Sequence, residues 1–306
     1  MKTICDLSDL NSLQNSAITI GNFDGVHRGH RLLLNQLVKV AKRLQVPSIV
    51  FSFDPHPLQL LNPTACPAQL VTVAKKSALL SECGVDILVA CPTIPSLLSM
   101  SYGRFFDEII CGQLKASAIV EGPNFHFGKD RKGSISDLVS LCQQARIQLE
   151  IVQIEKSENQ TVSSSLIRQL ISEGEISEAN RLLDSFYCVG GVVRPGSKRG
   201  AGLGFPTANL HDVQTLVPGE GVYGGYARHL GDKVLAAIHV GPNLTFGDSN
   251  SKLEVHLIGE DRDLYNQEIE VEFHQQIRKL IRFASTKELS SQIQTDIQAI
   301  IASVDK

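Results

Sequence analysis

Apolar positions along the chain follow two rhythms. Through about residue 185, short apolar runs alternate with stretches in which apolar residues recur every three or four positions. Residues 16–20 (SAITI), 47–53 (PSIVFSF), 85–91 (VDILVAC), 116–122 (ASAIVEG) and 148–154 (QLEIVQI) read as buried strands. Between them, residues 28–44 place apolar side chains at 33, 34, 37, 38, 41 and 44, a helical stripe. Residues 73–84, 102–114 and 138–147 also read as helices, the first of them stopping at Gly84. Strands alternating with helices predict crossover units and a parallel sheet.

Residues 165–184 read as two short helices around Gly174. Beyond Tyr187 the rhythm changes to alternating strands (CVGGVVR, GVYGGYARH, KVLAAIHVG, LEVHLIG, EIEVEFH) separated by Gly, Pro, Asp and Asn, which predicts an antiparallel barrel. A last helix starts at the capping box Ser285–Glu288 and carries Leu289, Ile293, Ile297 and Ile300 on one face. The expectation is an α/β domain over residues 1–185 and an all-β antiparallel barrel ending in a helix over residues 186–306.

Composition narrows the function. The 306 residues carry a formal net charge of −3, which argues against a dedicated nucleic-acid binder but leaves room for an anionic ligand in a local basic pocket. Seven scattered cysteines without a Cys-x-x-Cys pair suit reduced thiols rather than a zinc framework. The first residues hold no apolar segment of signal-peptide length, so the expected setting is cytoplasmic, with no membrane partner. Oligomeric state stays open.

The candidate chemistry begins where the first strand ends. IGNFDGVHRGH (20–30) sets His27 and His30 at the start of a predicted helix, among Gly21, Gly25 and Gly29. A helix N-terminus offers unpaired N–H groups and a positive dipole end, and glycine permits close backbone approach, so this is a place for phosphate oxygens. In open parallel sheets, ligands bind beyond the carboxyl ends of the strands, where this motif lies.

GNFDGVHRGH resembles the His-x-Gly-His signature of the nucleotidylyltransferase superfamily, in the longer form found in bifunctional prokaryotic riboflavin kinase/FMN adenylyltransferases. FSFDPHP (51–57), EGPNFHFGKDRKG (121–133) and VSSSLIR (162–168) follow in that family's order. The resemblance implies a nucleotidylyltransferase-type sheet and attack of the FMN phosphate on the α-phosphorus of ATP, releasing pyrophosphate. His27 and His30 would contact the phosphates. Gly21, Asn22, Phe23, Asp24, Ser163, Ser164 and Arg168 would bind ATP, and Asn124 and Phe125 the flavin.

In the second half, PGSKRGAGLGFPTANL (195–210) resembles the flavokinase signature. It implies a phosphate loop with Gly196, Lys198 and Gly202, and Mg²⁺ ligation by Thr207 and Asn209. LEVHLIGEDRDLYNQEIEVEF (253–273) implies Glu254 as the general base on the riboflavin 5′-hydroxyl. QIRKLIRFAS (276–285) implies Arg278 as a flavin or phosphate contact. Riboflavin, FMN, FAD and ATP are the implied ligands. The chain departs from the family pattern at His126, Leu166, Ala201, Gly259, Asn266 and Leu280. Two other readings stay open: an FAD synthetase with a decayed kinase domain, and a flavin-binding protein without turnover.

Overall fold

The computed structural model describes residues 1–12, 14–153, 162–197, 199–246, 251–260 and 262–304. They form two compact units, Met1–Pro67 with Val71–Val162, and Ala68–Leu70 with Ser163–Lys306.

The first unit is built on β1 (Lys2–Ile4), β2 (Ser16–Ile20), β3 (Ser48–Asp54), β4 (Ile87–Pro92), β5 (Ala116–Glu121) and β6 (Gln148–Ile151). They pair in the order β1-β4-β3-β2-β5-β6, every pair parallel. Strands covered on both faces need apolar residues at every position, hence the unbroken runs in the sequence. Ile18, Ile49, Phe51 and Ile119 serve the core on one face. Their neighbours Ala17, Val50, Leu88, Ala118 and Val120 serve the other. That second face is covered by α1 (Arg28–Leu44), which buries Leu33, Leu34, Leu37, Val40 and Ala41. Removing each larger side chain from water contributes about 1.5–3 kcal/mol. A second helix, α2 (Val73–Glu82), is capped by Thr72 and is followed by Gly84 at φ +81. α3 (Ile135–Ala145) begins three residues before the expected start because Ser134 and Asp137 form a capping box.

Three expectations change. Edge strand β1 was not anticipated; three residues are too few to show a period. The helix expected at 102–114 is α-helical only over Tyr102–Arg104 and then widens into a π-helix, Phe105–Gln113. Phe105, Phe106, Ile109, Ile110 and Leu114 recur at four- and five-residue spacings, and the wider winding buries all of them. The last strand of this sheet ends at Ile151; Ile154 lies outside the described residues.

In the second unit α4 (Ser164–Glu173) and α5 (Ile176–Leu183) flank Gly174, whose φ is +84. A closed barrel follows, made of β7 (Tyr187–Arg194), β8 (Ala208–His211), β9 (Gly221–His229), β10 (Asp232–Gly241), β11 (Lys252–Leu257) and β12 (Glu268–Arg278). The order around it is β10-β11-β8-β7-β12-β9, all neighbours antiparallel. α6 (Thr286–Val304) closes the chain. Ser285 accepts the Glu288 N–H at 3.2 Å, while the Glu288 carboxylate accepts from Ala284 rather than from the cap residue.

Candidate active sites

In the first unit β2 lies between β3 and β5. The sheet order therefore reverses at β2, and its carboxyl end opens at the switch point where such sheets take ligands. The loop that leaves it is tightly wound. Phe23, Gly25 and Val26 have φ values of +46, +84 and +42. His27 then caps α1, its Nδ1 accepting the His30 N–H at 3.3 Å. This bond leaves the ring proton on Nε2. The two imidazoles stack, centroids 3.6 Å apart and planes 15° from parallel. Phe23 is buried, its ring centroid 4.9 Å from that of His30, so its side chain packs against the pair.

His30 stays neutral: burial, then His27, then Lys76 hold its pKa well below the ordinary histidine range. Its Nδ1 is buried and has no hydrogen-bond partner among the described residues. Asp24 is buried and accepts the Val71 N–H through Oδ1 at 3.2 Å. The two stacked rings thus lie at the N-terminus of a long helix, with His30 held neutral.

Other groups converge here that the motifs did not flag. Glu121, the last residue of β5, is buried and accepts the Ile20 N–H at 2.7 Å. Burial raises its pKa well above the ordinary carboxylate range, against the lowering effect of hydrogen bonds from Ile20, Thr19 and Gly122. A carboxyl group with a raised folded pKa favours folding below its unfolded pKa. That contribution is lost as pH rises toward the folded value. Glu121→Gln is therefore expected to raise Tm by roughly 2–4 °C at pH 7.5 and to leave it nearly unchanged near pH 3, where the wild-type carboxyl is protonated in both states. Thermal unfolding at the two pH values checks this; an equal shift at both would contradict a buried proton.

The remaining first-half residues are placed as follows. Asn124 is exposed, and Phe125 stacks on Phe127 with ring centroids 5.4 Å apart, so one of its faces is committed to the core. His56 accepts the Leu58 N–H at 3.1 Å. Ser163 caps α4 by accepting the Leu166 N–H, Ser164 is the first residue of that helix, and Arg168 donates from Nε to the Ala68 carbonyl at 2.7 Å; all three belong to the second unit.

In the barrel, a pocket gathers Thr207, Asn209, His239, Glu254, Arg278 and Asp296. Strand register explains this: Glu254 on β11 faces Asn209 on β8 on one side and His239 on β10 on the other. The Asn243 amide donates to Glu254 at 3.4 Å. Burial lowers the pKa of His239, with Glu254 opposing. Arg278 is clamped by Asp296, Nε and Nη2 donating at 2.8–3.0 Å. Leu280, Ile281, Phe283, Leu289 and Ile293 supply an apolar wall. A second pocket, lined by Pro206, Ala208, Val255, Asp263 and Tyr265, shares Thr207 with the first.

The loop before β8 is glycine-bound for a steric reason. A Cβ on Gly200 would lie 2.4 Å from the Phe205 carbonyl oxygen. Lys198 lies outside the described residues, and Gly202 closes a short helical turn, Arg199–Gly202. Arg199 itself lines the first pocket.

Residues 9–166 match the FAD synthetase family and residues 183–304 the riboflavin kinase family. The bifunctional riboflavin kinase/FMN adenylyltransferase of Escherichia coli K12 is 32% identical over 299 residues, spanning 97% of this chain and 96% of that one. The chain belongs to this bifunctional family. The Pseudomonas fluorescens protein of the same name is 35% identical over 282 residues, 92% and 90% of the two chains. A crystal structure described as a macrolide-efflux protein from Streptococcus pneumoniae shares the fold, with a TM-score of 0.86 and 28% identity over 97% of each chain. That description differs in kind from the transferase names of the relatives above. Among the described residues here, no helix is long and apolar enough to cross a membrane.

Against this family background, Lys76, Glu121, His239 and Asp296 are the site residues that motif matching passed over. Three of them had a signal. Lys76 shares the stripe of Val73, Leu79 and Leu80, Asp296 that of Ile293 and Ile300, and Glu121 ends an apolar strand. His239 had none, since it alternates normally along β10.

Proposed function

We propose that the chain makes flavin coenzymes in two steps, phosphorylating riboflavin to FMN in residues 186–306 and adenylylating FMN to FAD in residues 1–185. The observation that carries the reading is that each half holds its own set of groups suited to phosphate chemistry: stacked imidazoles at a helix N-terminus in one, and Glu254 with Thr207 and Asn209 in the other.

For adenylyl transfer no protein nucleophile is needed. A phosphate oxygen of FMN attacks the α-phosphorus of ATP, the bond to the bridging oxygen breaks, and pyrophosphate leaves. Positioning and charge stabilisation carry the rate. His27 and His30 donate to phosphate oxygens, with Gly21, Asn22 and Asp24 shaping the loop around the nucleotide. Ser163, Ser164 and Arg168 are further proposed ATP ligands, and Asn124 and Phe125 proposed flavin contacts.

For phosphorylation, the apolar wall and Arg278 hold riboflavin in the first barrel pocket. ATP enters through the second, its phosphates meeting the Gly196–Gly202 loop, Lys198 included. Thr207 lines both pockets, which supports a reading in which the γ-phosphoryl group meets the 5′-hydroxyl beside it. Glu254 accepts the hydroxyl proton as the oxygen attacks the γ-phosphorus and ADP leaves. Among the described residues no three His, Cys, Asp or Glu side chains converge on a metal position. Thr207 and Asn209 offer neutral oxygens, which suits Mg²⁺ held mainly by substrate phosphates, where it neutralises developing charge.

Arg199 in the pocket and the retained Glu254 favour an active kinase over a decayed one. The test is direct. Purified protein with ATP, Mg²⁺ and riboflavin is expected to yield FMN and then FAD; with FMN in place of riboflavin it yields FAD. FAD from FMN without any FMN from riboflavin would select the monofunctional reading, and flavin binding without ATP consumption would reject both activities. The cytoplasmic setting belongs to this proposal, and all seven cysteines are free thiols in the structure.

A further inference from the structure

Lys76 is a charged residue in a position built for an apolar one. It shares the inward face of α2 with Leu79 and Leu80, and only 8% of its surface is exposed. Its ammonium donates to Ser52 Oγ at 3.1 Å, and Ser52 Oγ donates in turn to the Asn22 carbonyl at 3.3 Å. Burial lowers its pKa, and the carboxylates of Asp24 and Asp54 oppose that. Burying an ammonium is unfavourable unless it is paired, and a methionine would fill similar volume without that cost. Leu79 and Leu80 already anchor the helix. The charge is therefore explained by what it faces: Asp24 in the histidine loop, Asp54 at the end of β3, and the Ser52 link to Asn22.

We propose that Lys76 is a positioning residue for adenylyl transfer, neutralising Asp24 and Asp54 so that an anionic triphosphate can approach His27 and His30, and fixing the histidine loop through Ser52 and Asn22. This rests on the reading that the imidazole pair meets the triphosphate. Two carboxylates beside that site would otherwise repel the substrate, and a low-dielectric setting lets such repulsion act at close range. Lys76 reduces the local charge of the three groups from −2 to −1.

The test is a charge-compensation cycle on the full-length protein: wild type, Lys76→Met, Asp54→Asn and the double variant. FAD formation from FMN is measured across ATP concentrations, and inorganic tripolyphosphate serves as a binding probe. Lys76→Met is expected to raise the KM for ATP roughly 10–50-fold with kcat within about threefold. Asp54→Asn in that background restores most of the loss. Asp54→Asn alone tightens tripolyphosphate binding, and this measurement stands even where Lys76→Met does not fold. A lower Tm and kcat with KM unchanged, or no recovery in the double variant, would overturn the proposal, as would weaker tripolyphosphate binding by Asp54→Asn. Absence of FAD formation by the wild type overturns the underlying reading and the inference with it. Wild-type activity combined with an unchanged KM in Lys76→Met removes the role of Lys76 alone.

Discussion

His30→Ala lowers FAD formation from FMN and ATP by about 10²–10³-fold, the range for removing one preorganised donor from developing charge. The same variant leaves FMN formation from riboflavin within about twofold. His30 is held between the His27 ring, 3.6 Å away, and the Phe23 ring, 4.9 Å away, and it is neutral in this setting. A neutral ring that donates to phosphate oxygens stabilises the pentacoordinate phosphorus more than the ground state, so the loss falls mainly on kcat. Alanine also opens a small void in the stack. His30→Asn, which keeps a donor, is expected to recover part of the rate and separates chemistry from packing. Steady-state assays of both products, with Tm recorded for each variant, check this. Parallel loss of FMN and FAD formation would mean that the halves do not carry separate reactions.

Glu254→Gln gives the converse. FMN formation from riboflavin falls by about 10²–10⁴-fold, the usual contribution of a positioned general base. FAD formation from supplied FMN is retained. The amide preserves the shape of the side chain and an oxygen for the Asn243 donor, so the KM for riboflavin stays within about threefold. What is lost is basicity opposite Asn209 and His239. Product analysis by chromatography decides it. A variant with unimpaired FMN formation would move the proton to another acceptor, His239 being the group that faces Glu254 across the strand pair.

The two folds are largely legible in the sequence. The strand at 16–20, the helix at 28–44 and the strand at 221–229 match their observed bounds. In each, one period runs without interruption between Gly, Pro or polar breaks, and local preference agrees with burial. The π-helix at Phe105–Gln113 and the edge strand Lys2–Ile4 were not legible in type or existence. The first shares its composition with an α-helix and is distinguished by what it packs against. The second owes its existence to pairing with β4.

The sites divide in the same way. The order of motifs along the chain singles out the histidine pair, Glu254, Thr207 and Asn209 as candidates and predicts a two-part architecture. The three-residue spacing of His27 and His30 at a helix start stacks their rings locally, whereas Glu254 meets Asn209 only through the pairing of β11 with β8. A charge at Lys76, Glu121 or Asp296 is visible in the sequence as an interruption of an apolar pattern, but its partner is not. Those partners are 24, 101 and 18 residues away: Ser52, the Ile20 N–H and Arg278. Only the closing of the sheet and the barrel brings them within hydrogen-bond distance. The raised pKa of Glu121, the lowered pKa of His30 and the fixed fork of Arg278 were likewise decided by tertiary structure, because burial sets the cost of a charge and long-range contacts supply its compensation.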